Sequence, residues 1–189
     1  DSELQMRHKR KDAIKEADFI ILAGVPNDFR LEYGNHIGHR SFASINRSTE
    51  DLYKNKKPTI AIHADPQQFI IDLAHKYKAE TSTWKATLRE RDELREQAID
   101  KQAKDKLNGM NPIELFRCMD KILDDNTILI ADGGDFVATS AYTLKPRAPL
   151  SWLDPGVFGT LGVGAGFALG AKLVFPEKDV FIIYGDGSS

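Results

Sequence analysis

Short apolar runs that stop at glycine or aspartate alternate with helix-like segments along this chain, and that alternation constrains its fold more than any other feature. The clearest case closes the sequence: Val180-Phe-Ile-Ile-Tyr-Gly-Asp-Gly-Ser-Ser189 runs an apolar strand straight into a Gly-Asp-Gly turn. Asp18-Phe-Ile-Ile-Leu-Ala-Gly24, Thr59-Ile-Ala-Ile-His63 and Thr127-Ile-Leu-Ile-Ala131 read the same way, with Ser44-Ile-Asn46 a weaker strand. Between them, residues 50–54, 66–77, 113–123, 136–142 and 163–174 read as helices, the second with Phe69, Ile70, Leu73 and Ala74 on one face. Strands separated by helices pair in parallel, so the expected fold class is α/β with parallel sheets.

The 189 residues, 41% of them hydrophobic, suffice for one large or two small domains with real cores. Residues 1–78 carry about three strands, a thin sheet that reads as entered partway. Over residues 79–110 both charge signs become dense, as in Trp84-Lys-Ala-Thr-Leu-Arg-Glu-Arg-Asp-Glu-Leu-Arg-Glu-Gln97, which predicts a solvated linker helix with Trp84 as its packing anchor. Asn108-Gly-Met-Asn-Pro112 then punctuates the chain before a second α/β unit, 111–189, with Pro112 in the first turn of its helix. The N-terminus shows neither an initiator methionine nor a signal pattern, and reads as internal to a longer protein.

Composition excludes several function classes. Lys and Arg number 26 against 28 acids, so the clustered basic face of a nucleic-acid binder is not expected. The single cysteine, Cys118, excludes an internal disulfide and is expected to be a packed helical thiol. Residues 156–175 approach bilayer length, but their glycines and Lys172 fit a loop leading into a close-packed helix better than a membrane span. His36 and His39, with Gly38 between them and no third ligand nearby, are expected to be surface histidines.

The chemistry concentrates where strands end. A carboxylate held by glycines beyond a strand's carboxyl end can grip a phosphate-bound cation, since hard cations take oxygen ligands while keeping phosphate in their shell. Gly185-Asp186-Gly187 fits that description; both Asp132-Gly133 and Asp186-Gly187 end a strand in an Asp-Gly pair, which on its own is also a hairpin signal. A glycine, an acid and a helix-like stretch follow Asp132-Gly133, favouring strand-loop-helix there; at Asp186 the local sequence leaves both readings open. Gly162, Gly164 and Gly166 form a loosened dinucleotide fingerprint, but a turn precedes them and no ribose-binding acid follows at the right distance. The stripe Gly162, Gly166, Gly170 instead predicts a helix pressed against another backbone.

In order and spacing, Gly159-Thr-Leu-Gly162 with Gly164, Gly170-Ala-Lys172 and Gly185-Asp-Gly-Ser188 resemble the cofactor-binding domain of thiamine-diphosphate (ThDP) enzymes of the acetolactate synthase group. Asp51-Leu-Tyr-Lys-Asn55, Pro58, Ile60 and Ala64-Asp65 resemble the central domain of that group. Ala131-Asp-Gly-Gly-Asp-Phe-Val137, Pro146-Arg147, Trp152-Leu-Asp-Pro-Gly156 and residues 158–172 resemble most closely its eukaryotic acetolactate-synthase-like branch. The resemblance covers nearly the whole chain. It implies that 1–78 is part of a Rossmann-like central domain, 79–110 a linker, and 111–189 part of a ThDP- and Mg²⁺-binding α/β domain.

Site roles follow from the resemblance alone. Asp186 would bind Mg²⁺, while Gly185, Gly187 and Ser188 lie near the diphosphate; Gly134, Asp135 and Phe136 would hold the diphosphate from the opposite side. Gly159 would accept from the aminopyrimidine beside Thr160, and Leu161 would be the apolar wedge that bends the cofactor. The relay-starting Glu of the family sits on a domain outside this chain, so the chain carries no assigned catalytic residue and is expected to be inactive alone. The implied reaction is cleavage of a 2-hydroxyacyl-CoA to an aldehyde and formyl-CoA, as in fatty-acid α-oxidation, with acetolactate-type carboligation or a catalytically silent homologue as alternatives. Resemblance further implies a homodimer or homotetramer in the endoplasmic reticulum, attached to its membrane through a segment outside this chain. FAD is not expected, because Asn46 stands where an acid would meet its ribose, and Asp28 is the other candidate.

Overall fold

The computed structural model describes residues 6–78 and 80–188. They divide into two units, one spanning Lys9–Arg91 and the other running from Asp92 onward together with the residues up to His8. The division falls inside a single long helix.

The first unit runs α1 (Arg10–Glu16), β1 (Phe19–Ala23), β2 (Ser41–Asn46), α2 (Thr49–Leu52), β3 (Ile60–His63) and α3 (Pro66–Lys76), then the first half of α4 (Ser82–Gln102). Its sheet is parallel throughout, in the order β1-β2-β3, with Ile21 opposite Ala43 and Ile45 opposite Ile62. The α/β class read from the alternation is therefore the one observed. β2 starts three residues before the expected weak strand, since Ser41, Phe42 and Ala43 do not announce a strand by alternation. As the middle strand it is buried on both faces, whereas β1 alternates, with Ile20 and Leu22 inward. Leu31, Ile37 and Phe42 complete that core. Asp65 starts α3 by accepting from the N–H groups of Gln67 and Gln68 (2.8 and 3.0 Å), with Pro66 in the first turn. The Arg91 guanidinium lies 6.0 Å from the Trp84 ring centroid, giving that half-buried indole a cation–π neighbour.

In the second unit the remainder of α4 is followed by α5 (Pro112–Asp120), β4 (Thr127–Asp132), α6 (Gly134–Thr143), β5 (Trp152–Leu153), α7 (Gly164–Val174) and β6 (Asp179–Tyr184). The sheet is again parallel, ordered β5-β4-β6, with Ile130 opposite Ile182 and Asp132 opposite Tyr184. β5 is too short to be seen as a strand in sequence. Every residue of β4 is buried, and its period of two feeds two cores. Leu129 packs with Phe116, Leu144 and Ile183 on one face, and Ile128 and Ile130 with Ala171 on the other.

Asn111 joins α4 to α5. Its Oδ1 accepts from Ile113 N–H (3.0 Å), capping α5, while its Nδ2 donates to the carbonyls of Gln102, the last residue of α4, and of Asp105 just beyond it (2.9 and 3.0 Å). α4, expected to be solvated, buries Asp92 and Ile99. Asp92 Oδ1 accepts from the backbone N–H groups of Arg7 and His8, each at 2.8 Å. One turn on, Glu96 meets His8 Nε2 (2.8 Å), Arg117 Nη2 (2.7 Å) and Lys145 Nζ (3.4 Å). Burial pushes the Glu96 carboxyl up, but the hydrogen bonds from His8 and Arg117 and the charges of Lys145 and Arg117 outweigh it and hold it at about 2.

Two expectations are corrected here. Cys118 is exposed, not packed. α5 buries Phe116, and a residue two further on points to the far side of a helix. Among the described residues, the glycine stripe does not meet another backbone either. α7 presents Gly164, Ala168 and Ala171 to the sheet, while a Cβ at Gly166 or Gly170 would have nothing within 4 Å. Among the described residues, no helix is long and apolar enough to cross a membrane.

Candidate functional site

β4 and β6 lie side by side in register, so the loops after them emerge together at the carboxyl edge of the sheet, the edge at which open α/β sheets bind ligands. Gly185 N–H donates to the Asp132 carbonyl at 3.1 Å and locks the two exits together. The approach is close enough to demand glycine. A Cβ on Gly185 would lie 2.6 Å from the Gly133 carbonyl oxygen, and Gly133 itself holds φ +74°, ψ 154°, a conformation open essentially to glycine. A Cβ there would overlap Leu161 Cδ2 and sit 2.6 Å from Ser188 Oγ.

Gly133, Leu161, Gly185 and Ser188 are therefore brought to one place, with Gly134 beside Gly185 and Gly187 at van der Waals range of Leu161. Phe136 stacks obliquely on Phe116, ring centroids 4.6 Å apart, which seats the first turn of α6 on the core. Asp135 lies in that same turn, exposed and with its carbonyl accepting from Thr139 Oγ1 (3.0 Å). Asp186 opens a short 3₁₀ turn, Asp186–Ser188, and its exposed Oδ1 accepts from Gly187 N–H at 3.0 Å. The strand thus continues into a tight turn at Asp186. Gly159, with φ +59° after the 3₁₀ turn Gly156–Phe158, and Thr160 lie on the exposed approach to Leu161; a Cβ at Gly159 would meet nothing within 4 Å.

The residue that sequence reasoning passed over is Asp132. It is wholly buried, Oδ1 accepts from Gly162 N–H (3.1 Å) and Oδ2 from Gly164 N–H (2.7 Å). Its signal was the acid at the end of an all-apolar strand, read only as half of an Asp-Gly pair. These bonds decide between the two helix N-termini at this edge. The α7 terminus, where a dinucleotide fingerprint would place a pyrophosphate, already holds an internal carboxylate. The α6 terminus begins on Gly133 and Gly134, has no side-chain cap, and presents its N–H groups with the positive end of its dipole. A glycine-lined cradle at an uncapped helix start, faced by a second glycine turn and flanked by an apolar side chain, suits a phosphate ester with an organic body. Asp186 adds one oxygen ligand of the kind a hard cation takes.

Away from this edge, His36 is half-buried rather than surface-lying, with Nε2 3.3 Å from Glu32 Oε2, and His39 is exposed. Among the described residues, no group of three or more His, Cys, Asp or Glu could hold a metal by itself. In the first unit, Asn46 is buried with Oδ1 accepting from Ser48 N–H (3.0 Å). Both oxygens of Asp28 are taken by Arg30, whose hydrogen bonds hold that carboxyl below the usual carboxylate range.

Residues 132–189 match the thiamine pyrophosphate enzyme C-terminal TPP binding domain. The cradle described above lies within that matched segment. The whole chain is similar to 2-hydroxyacyl-CoA lyase 2 of Caenorhabditis elegans, 47% identical with 100% of this chain and 31% of the relative aligned. It is 44% identical to human 2-hydroxyacyl-CoA lyase 2, over 98% of this chain and 30% of that protein. The acetolactate synthase large subunit IlvG of Mycobacterium tuberculosis is 28% identical over 100% of this chain and 35% of its own length. The chain spans about a third of the length of the curated relatives it matches.

Proposed function

We propose that this chain forms part of a ThDP- and Mg²⁺-dependent enzyme that cleaves the carbon–carbon bond beside the hydroxyl of a 2-hydroxyacyl-CoA, releasing an aldehyde and formyl-CoA. The observation that carries the reading is the glycine cradle between the α6 terminus and the 185–188 turn, within a segment matching a TPP-binding domain. Gly134, Asp135 and Phe136 would take the diphosphate from one side, through the backbone N–H groups of Gly134 and its neighbours rather than through the Asp135 carboxylate. Gly185, Gly187 and Ser188 would take it from the other, with Asp186 ligating Mg²⁺ bound to the same phosphates. Leu161 would press on the cofactor as a bulky apolar wedge, with Gly159 and Thr160 along the pyrimidine. When bound, ThDP supplies the nucleophilic carbon for breaking the bond, and this chain supplies position and electrostatics.

The choice of a lyase rests on the names of the relatives at 44–47% identity. Acetolactate-type carboligation is the second reading, favoured by the synthase similarity at 28%. A homodimer or homotetramer and an endoplasmic-reticulum membrane location are part of the same proposal. The test is product analysis of the full-length protein with ThDP and Mg²⁺. A 2-hydroxyacyl-CoA yielding formyl-CoA and the aldehyde one carbon shorter supports the lyase. Acetolactate from pyruvate without thioester cleavage supports the synthase, and neither product with ThDP bound supports a silent homologue.

A further inference from the structure

Asp132 has no role among the cofactor contacts above, yet it is the most tightly placed carboxylate at the site. Its side chain is fully buried, and it links three segments through three acceptors: Oδ1 to Gly162, Oδ2 to Gly164, and the main-chain oxygen to Gly185. We infer that Asp132 is the positioning residue of the site, an internal anion that fixes the Leu161 loop over the glycine cradle and occupies the α7 terminus, so that a ligand's phosphates dock at α6.

Val163, the residue that precedes α7, makes no side-chain cap. Asp132 supplies that cap from 32 residues away in sequence, and an acid is favoured there by the helix dipole and by charge-assisted bonds to N–H groups. The fit is exclusive: a Cβ on Gly164 would stand 3.0 Å from Asp132 Oδ2, from Ile182 Cγ2 and from Tyr184 Cε1. The carboxylate also draws in Gly162, whose φ of +83° reverses the chain immediately after Leu161. Leu161 is thereby anchored on its C-terminal side and held against Gly133, although more than half exposed itself. An amide in place of the acid cannot do this, because it offers one acceptor and turns an N–H₂ toward the other backbone N–H.

This inference rests on the cofactor reading, and two measurements separate them. Native-state amide exchange of the unliganded full-length protein reports the brace directly; calorimetric titration with ThDP and Mg²⁺ reports its consequence. Gly162 and Gly164 are expected to be protected at least ~10-fold over the unstructured rate. Asp132→Asn should lower that protection by ~10-fold while the amides of β4 and β6 keep theirs, and should weaken ThDP binding by ~10-fold. A merely structural role would lower protection throughout the sheet. Unchanged exchange at Gly162 and Gly164, or unchanged ThDP affinity in the variant, overturns the inference. If Asp132→Asn does not fold, absence of protection at the two glycines in the unsubstituted protein overturns it equally. No ThDP binding by the unsubstituted protein sinks the cofactor reading, while the exchange rates still decide the brace.

Discussion

Replacing Gly133 by alanine loads the site at its narrowest point through two separable effects. Backbone at φ +74°, ψ 154° costs a residue with a Cβ on the order of 1–3 kcal/mol. The new methyl also overlaps Leu161 Cδ2 and approaches Ser188 Oγ to 2.6 Å. Both obstacles are ends of side chains, and Leu161 is 54% exposed, so it can swing away at little cost to folding. The backbone term should therefore dominate the loss in urea unfolding, about 1–3 kcal/mol, while the displaced Leu161 should appear as weaker ThDP binding. Adding Leu161→Ala to Gly133→Ala removes the overlap and should leave the stability loss largely in place. Gly166→Ala is the control. That glycine lies inside α7 with nothing within 4 Å of a Cβ, so alanine should stabilise by about 0.5–1 kcal/mol. Unfolding of Gly133→Ala within ~0.5 kcal/mol of the parent would refute the reasoning, since residue 133 could not then be held in a glycine conformation.

Three further outcomes follow from the second unit. The Glu96 carboxyl titrates at about 2 in the fold against 4.5 ordinarily, so its stabilisation is complete above pH 4.5 and is lost as pH falls from there toward 2. Chemical denaturation across that window should show about 1 kcal/mol of loss that Glu96→Gln abolishes, the figure being kept small because solvent screens part of the cluster. Asn111→Ala should cost about 2–3 kcal/mol by urea unfolding, removing the α5 cap and orphaning carbonyls at and just beyond the end of α4. Cys118 should react stoichiometrically with a thiol reagent in the folded protein; reaction only after denaturation would contradict its exposure.

The alternation of apolar runs and helices made the α/β class and most elements legible, because period and punctuation are local signals. Boundaries were lost where residues are small or polar. Ser41 to Ala43 carry no alternation although β2 is a central strand, and Trp152–Leu153 is too short to show any. The glycine pattern misled for a geometric reason: a stripe shows only that one face is small, and which face meets the sheet was set by Gly164, Ala168 and Ala171. Cys118 failed similarly, since helical residues two apart point in different directions. The glycine turns of the site were visible as motifs, but Asp132 was not, because its importance lies in hydrogen bonds to glycines 30 and 32 residues away.

Calorimetric titration of the full-length protein with ThDP, with and without Mg²⁺, tests the central claim most directly, using NAD as the competing ligand. Saturable ThDP binding that requires Mg²⁺ and is lost in Asp186→Ala is the predicted result. Binding of NAD with no heat from ThDP would contradict it.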